Sequence, residues 1–119
     1  MSDMPRPSLV KLHQKRQCLE LHFDDGVQFM LSCEYLRVYT PSAERIGHGA
    51  GQETLPVGKE HVGITAINPI GQYALQFVFT DGHDSGFYSW DYLYTLGAEQ
   101  KERWQHYQDK VNELKVRST

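Results

Sequence analysis

Residues 75–93 read LQFVFTDGHDSGFYSWDYL and repeat the pattern of residues 19–36, LELHFDDGVQFMLSCEYL. In each stretch an alternating apolar run leads to Asp-Gly, a second apolar run follows, and a Ser comes three residues before Tyr-Leu. Alternation is typical of a half-buried strand, and Asp-Gly between two such runs favours a hairpin, because glycine accepts the positive φ of a tight turn. The offset is 56 residues at the first strand and 57 at the Ser, so the second hairpin has one extra residue.

The Ser that closes each repeat predicts the start of a short helix. The hydroxyls of Ser32 and Ser89 can accept a hydrogen bond from an unpaired backbone N–H, and an acid, Glu34 or Asp91, falls in the first turn. The predicted fold class is therefore α+β, with small antiparallel sheets built from two repeats of a hairpin and a short helix.

Ordered structure is expected to begin near Gln17, because Pro5 and Pro7 disfavour regular structure before it. Residues 1–16 are accordingly predicted to be a flexible N-terminal segment. The repeats define a predicted domain over residues 17–97.

The rest of the chain divides into a loop, a strand with its turn, and a helix. Glycines and prolines predict a long loop over 40–61, and Asn68-Pro69-Ile70-Gly71 predicts a turn after a strand that begins near Val62. Residues 98–119, after Gly97, are predicted to form a C-terminal amphipathic helix. Its apolar stripe consists of Trp104, Tyr107, Val111 and Leu114.

The composition indicates a single globular domain. The chain has 119 residues, with 12 Lys and Arg against 15 Asp and Glu, for a formal charge of −3. That balance disfavours nucleic-acid binding, which usually needs a basic face. No stretch approaches the roughly 20 apolar residues of a membrane span, and the first five residues lack the apolar core of a signal peptide. Two cysteines are too few for a disulfide framework, so we expect a cytoplasmic protein without membrane contact.

No motif specifies a reaction. Gly58-Lys59 is followed by Glu60 and lacks the earlier glycine of a phosphate-binding loop. The string GHDSG at 82–86 contains the residue types of a hydrolase, but its Ser spacing differs from that of a nucleophile elbow. We therefore expect no enzymatic activity.

Two strings resemble the signatures of the gamma-butyrobetaine hydroxylase-like N-terminal domain family: LRVYTPSAE at 36–44 and DGHDSGFYSWDYL at 81–93. The resemblance covers roughly residues 12–97. It implies an α+β fold of small antiparallel sheets and short helices. The family includes stand-alone bacterial proteins, N-terminal domains of 2-oxoglutarate- and iron-dependent hydroxylases, and appendages of iron–sulfur cluster carrier ATPases. Only 26 residues follow Leu93, too few for an oxygenase, so we expect the accessory domain without hydroxylase activity.

The resemblance also implies a position for a metal. The resemblance implies that the domain of the hydroxylases binds a zinc ion through three cysteines and a later histidine. In this chain the corresponding positions hold Cys33, Tyr35, Val38 and His83. Tyr35 and Val38 cannot replace thiolates at tetrahedral zinc, so we expect no cofactor and a core role for both. The alternative function is a small metal- or ligand-binding domain with a site around Cys33 and His83. The competing interpretation is that Cys33 is a small buried apolar residue of the short helix and binds no metal.

The expected function is that of a non-enzymatic accessory domain that contacts a protein partner. The family's fusions suggest an iron–sulfur cluster assembly or carrier protein as that partner. The predicted binding surface comprises the second Asp-Gly turn and the neighbouring glycine-rich loop, because the turn holds polar residues that a hairpin does not need. The residues of this surface are Asp81, His83, Asp84 and Ser85.

Overall fold

The first half of the chain folds into a three-stranded antiparallel sheet followed by a short helix. The structure is a computed structural model that describes residues 5–41, 58–84 and 86–117, with side chains through residue 113. The elements of this half are β1 (Pro7–His13), β2 (Cys18–Phe23), β3 (Gln28–Ser32) and α1 (Cys33–Val38). The strand order is β1-β2-β3.

The second half repeats this arrangement and adds one helix. Its elements are β4 (Ile64–Ile70), β5 (Ala74–Phe79), β6 (Phe87–Ser89), α2 (Trp90–Ala98) and α3 (Gln100–Arg117). The strand order is β4-β5-β6, again antiparallel throughout. The predicted α+β class and its two hairpin-and-helix repeats are confirmed.

The helix caps are confirmed in both repeats. Ser32 Oγ accepts a hydrogen bond from the Tyr35 N–H at 3.0 Å, and Ser89 Oγ accepts one from the Tyr92 N–H, also at 3.0 Å. Both serines have extended backbone angles, as an N-cap residue requires. The two helices therefore start through the same local mechanism.

The turns follow the prediction at the two Asp-Gly pairs but not between β4 and β5. Gly26 and Gly82 both have a φ of 90°, the conformation that favours glycine. The turn predicted at 68–71 is wrong, since β4 continues to Ile70 and the chain reverses after it, with Gly71 at a φ of 58°. Pro69 fits inside β4 because an edge strand can leave a residue without an N–H donor.

The predicted flexibility of residues 1–16 is wrong over Pro7–His13, which form β1. This strand pairs with β2 along its whole length, with a register shift after Pro7. Val10 and Leu12 pack against the core, whereas Lys11 between them is exposed. Proline is tolerated as the first residue of an edge strand. The structure thus extends the repeat to a third strand, since β4 lies 57 residues after β1 and has the same register shift.

Gly97, the residue after which the sequence predicted the C-terminal helix, lies inside the second helix. It is an interior residue of α2, and a Cβ there would lie 2.6 Å from Phe29 Cδ1 and nearer still to Cγ and Cδ2. The position requires glycine because the helix contacts the Phe29 ring. The predicted amphipathic helix follows as α3. Three residues of its apolar stripe pack against the core: Trp104, Tyr107 and Val111.

One hydrophobic core contains the buried faces of both sheets. The strands β2 and β5 have the same burial pattern, with every second residue buried. Their buried residues are Leu19, Leu21, Phe23, Leu75, Phe77 and Phe79. The two halves therefore share one apolar interior rather than forming two separate domains.

Two reciprocal hydrogen bonds join the halves at the ends of the short helices. The Tyr35 hydroxyl donates to the Leu96 carbonyl at 2.6 Å, and the Tyr92 hydroxyl donates to the Tyr39 carbonyl at 2.7 Å. Tyr35 and Tyr92 are equivalent residues of the repeat, and each acceptor lies seven residues after the capping Ser of its own half. Each half therefore satisfies a carbonyl at the end of the other half's helix.

Candidate protein-binding surface

Asp81, in the second Asp-Gly turn, is held by two cations. Its Oδ2 lies 2.9 Å from Arg37 Nε and 2.8 Å from Lys59 Nζ, and about a fifth of its side chain is exposed. Burial raises the pKa of Asp81, but hydrogen bonds from Lys59, the His83 N–H and Arg37 outweigh burial and lower the pKa well below its ordinary value. Asp81 thus connects α1, the segment before β4 and the turn.

The other predicted surface residues differ in how they are held. His83 Nε2 lies 3.1 Å from the buried Thr40 Oγ1, and burial together with the Arg37 cation lowers the pKa of His83. Asp84 is exposed, and its backbone carbonyl accepts a hydrogen bond from Gln76 Nε2 at 2.8 Å. Ser85 lies outside the described residues. Among the predicted residues that are described, Asp84 has the carboxylate most open to a partner.

The two predicted metal ligands have different surroundings. Cys33 is fully buried, its N–H donates to the Gln17 carbonyl, and burial raises the pKa of its thiol to about 11. A protonated thiol is a poor metal ligand. Within the described ranges, no three His, Cys, Asp or Glu side chains are grouped to hold a metal ion. Tyr35 and Val38, where the resemblance implies cysteine ligands, are buried in the core as predicted.

A chelator experiment tests the metal alternative. We expect the melting temperature of the purified, untagged protein to be the same with and without EDTA, because the core around Cys33 is packed by apolar side chains. A structural zinc would instead contribute its binding free energy to folding. A fall of many degrees with EDTA, absent from Cys33→Ala and His83→Ala variants, would contradict the expectation.

Each sheet has an outer face opposite its buried face. Residues directly opposite in an antiparallel pair lie on the same face, so the register assigns both sets. The first outer face consists of Leu9, Lys11, His13, Cys18, Glu20, His22, Gln28, Met30 and Ser32. The second outer face consists of Ala66, Asn68, Ile70, Ala74, Gln76, Val78, Phe87 and Ser89.

The first outer face has an ionisable centre. Glu20 Oε1 lies 2.8 Å from His13 Nε2, and Glu20 Oε2 lies 2.5 Å from His22 Nε2. These two hydrogen bonds, first from His13 and then from His22, lower the pKa of Glu20. The sequence analysis did not single out this cluster, because His13 belongs to a strand that it did not predict.

Acid titration should reveal the Glu20 cluster. The pKa of Glu20 is lower in the folded protein than its ordinary value of 4.5, so the Glu20 carboxylate stabilises the fold at pH values above 4.5. This stabilisation is lost as the pH falls through the folded-state pKa. We expect Glu20→Gln to be less stable than wild type at pH 6, with the difference shrinking toward pH 3 in urea unfolding. Glu102→Gln, at an exposed position of α3, should show no such pH-dependent difference.

The second outer face contains no charged residue. Phe87 is 54% exposed on β6, and its register partner Gln76 accepts a hydrogen bond from Asn68 Nδ2 at 3.2 Å. The repeat makes the contrast direct, since the positions of His13, Glu20 and His22 correspond to an Ile, a Gln and a Val of the second sheet. The same sheet geometry therefore accepts charged residues on one outer face and uncharged residues on the other. The absence of charge from the second outer face is not required by the fold.

Two cavities lie away from this face. A crevice of about 120 Å³ lies beside Cys33, Gly63 and Thr80, below the roughly 300 Å³ at which small-molecule sites begin. An open groove of about 550 Å³ is lined by Ser32, Gln100, Lys101, Trp104 and Gln105. Neither lining contains a carboxylate or an imidazole that could act as a general base.

Comparisons with known proteins agree with the fold. Residues 10–94 match the family model described as gamma-butyrobetaine hydroxylase-like, N-terminal. Two structures solved by NMR are similar, one at 41% identity and TM-score 0.78 over 92% of this chain and 86% of the other, and one at 43% and 0.75 over 96% and 85%. A crystal structure from Acidithiobacillus ferrooxidans, of a protein with unknown function in the DUF971 family, is 34% identical with TM-score 0.66, over 78% and 93%.

A search of curated proteins found no match. None of the helices in the described part of the chain is long and apolar enough to cross a membrane.

Proposed function

Because this chain belongs to the gamma-butyrobetaine hydroxylase-like N-terminal family, we propose that it is a non-enzymatic accessory domain that binds a protein partner through the second outer face. The observation that supports the proposal is the exposed Phe87 at the edge of an uncharged sheet face. Ala74 and Val78 are the diagonal register neighbours of Phe87, within reach of an aromatic side chain, so the exposed ring continues an apolar strip of this face. Exposed apolar patches bordered by polar residues mark interaction sites.

The internal repeat supplies a comparison within the same molecule. The equivalent first outer face also exposes Leu9 and Met30, but Lys11 and the Glu20 cluster lie between them, as on a solvated sheet face. On the second face Ile70 and Val78 are only partly buried, and the exposed Asp84 lies at its rim through the Gln76 hydrogen bond. Apolar residues bordered by polar ones are a common arrangement at protein interfaces.

The proposal extends to compartment and partner. Cys18 and Cys33 are free thiols, which suits the reducing cytoplasm. An iron–sulfur cluster assembly or carrier protein is the partner class that the family's fusions favour, and the protein's role is then to hold such a partner, not to carry out chemistry.

Site-specific photocrosslinking in the native cytoplasm tests the proposal. A photoreactive phenylalanine analogue at position 87 should crosslink to one discrete partner, and the same analogue at Met30 should not. Met30 is a matched control because it is 42% exposed on the other sheet. With the purified partner, we expect Phe87→Ser to weaken binding at least tenfold and Met30→Ser to leave it unchanged.

Two results would overturn the proposal. One is identical crosslinking from both positions, which would show only general exposure. The other is unchanged affinity of Phe87→Ser for the captured partner, provided that its melting temperature matches wild type.

A further inference from the structure

Two carboxylates near β6 have no ion-pair partner among the described residues. Asp84 precedes the strand and Asp91 follows it in the first turn of α2, and both are exposed. Neither carboxylate forms an ion pair or a side-chain hydrogen bond within the described part of the chain. The nearby cations, Arg37 and Lys59, are both held by Asp81. Free negative charge therefore lies at each end of the strand that carries Phe87.

We propose that the second outer face binds a cationic peptide segment of the partner, with a large apolar side chain against Phe87 and Lys or Arg residues toward Asp84 and Asp91. This inference rests on the proposed function and specifies the partner's chemistry. Complementary charges orient a partner and speed its association, while the apolar contact at Phe87 supplies most of the affinity.

The same charges argue against a polyanionic partner. A nucleic acid or an anionic lipid surface needs unpaired Lys or Arg to neutralise phosphates. Among the described residues near β6 the unpaired charges are carboxylates, and the formal charge of the whole chain is −3. A segment rich in Lys or Arg gains from both features.

A phage-displayed library of random twelve-residue peptides provides the probe. Selection on the full chain should enrich peptides that combine a large apolar residue with Lys or Arg. Measured with synthetic peptides by fluorescence anisotropy, Phe87→Ser should weaken binding at least tenfold. The double variant Asp84→Lys, Asp91→Lys should weaken it about tenfold and should bind better when the peptide's cations are replaced by Glu.

Two control variants match the test variants. Glu102→Lys reverses an exposed acid in the first turn of α3, as Asp91→Lys does in α2, and should leave peptide binding unchanged. Met30→Ser removes a comparably exposed apolar side chain from the first sheet and should also have no effect.

The outcomes separate this inference from the proposed function. If the selected peptides need Phe87 but contain no Lys or Arg, or if the charge-reversal variant binds them as well as wild type, the inference of a cationic partner is overturned. The proposal that the second outer face is the binding face would be unaffected. A library without binders, or with binders that ignore Phe87→Ser, would overturn the inference as well, and the crosslinking experiment judges the proposed function separately.

Discussion

Replacing Gly97 with alanine is expected to destabilise the protein by roughly 3 kcal/mol, the upper part of the usual range for an overpacked core. By helix propensity alone the change would stabilise α2 by about 1 kcal/mol. The new Cβ, however, would lie 2.6 Å from Phe29 Cδ1 and nearer to two other ring atoms, so the helix or the ring must move. Chemical denaturation of both proteins measures the difference.

Gly63→Ala is the matched control for Gly97→Ala. Its new Cβ would lie 3.6 Å from Gln17 Nε2 and from Thr80 Cγ2, ordinary contact distances, so little change is expected. Adding Phe29→Leu to Gly97→Ala should recover part of the loss, because a smaller side chain replaces the ring. Unchanged or increased stability of Gly97→Ala would show that the contact with Phe29 is not close.

Truncation of Tyr88 should cost more than any surface change. Its side chain is fully buried against Phe77, and its hydroxyl donates to the Leu36 carbonyl at 2.5 Å. We expect Tyr88→Ala to lower the free energy of unfolding by about 3–5 kcal/mol, as for other large aromatic truncations. Tyr88→Phe should lower it by about 1–3 kcal/mol, because the buried Leu36 carbonyl loses its donor.

Tyr73→Ala is the control for Tyr88→Ala. Tyr73 is 71% exposed, so its truncation should change stability by no more than about 0.5 kcal/mol. Burial also raises the pKa of Tyr88, so the stabilising effect of its neutral hydroxyl should fade as pH rises above the ordinary value of 10.0. Equal losses in Tyr73→Ala and Tyr88→Ala would contradict the burial of Tyr88.

The sequence predicted what depends on neighbours along the chain. The Asp-Gly turns and the caps at Ser32 and Ser89 use residues within three positions of one another, so the residue types alone indicate them. Strand β1 was missed because its stability comes from pairing with β2. In the sequence, Pro5 before the strand and Pro7 at its first position outweighed Val10 and Leu12, which are partly buried.

The candidate site was predicted less completely than the fold. The second turn was selected for its polarity, but Asp81 is held by Arg37, 44 residues away, and Lys59 at the end of the long loop, contacts that no local pattern reveals. A signal for the second outer face was nevertheless present. An alignment of the repeats that starts one strand earlier pairs His13 with Ile70. It indicates that the second sheet has no ionisable residue at the positions of the Glu20 cluster.

The two reciprocal tyrosine hydrogen bonds link the unfolding of one half of the molecule to that of the other. Tyr35 and Tyr92 each satisfy a carbonyl of the opposite half, so opening either half exposes and unpairs a group in the other. Each half therefore needs the other to complete its hydrogen bonds, as the two subunits of a symmetric dimer do. In hydrogen exchange the protected amides of both sheets then belong to a single cooperative unit, with one opening free energy for the two.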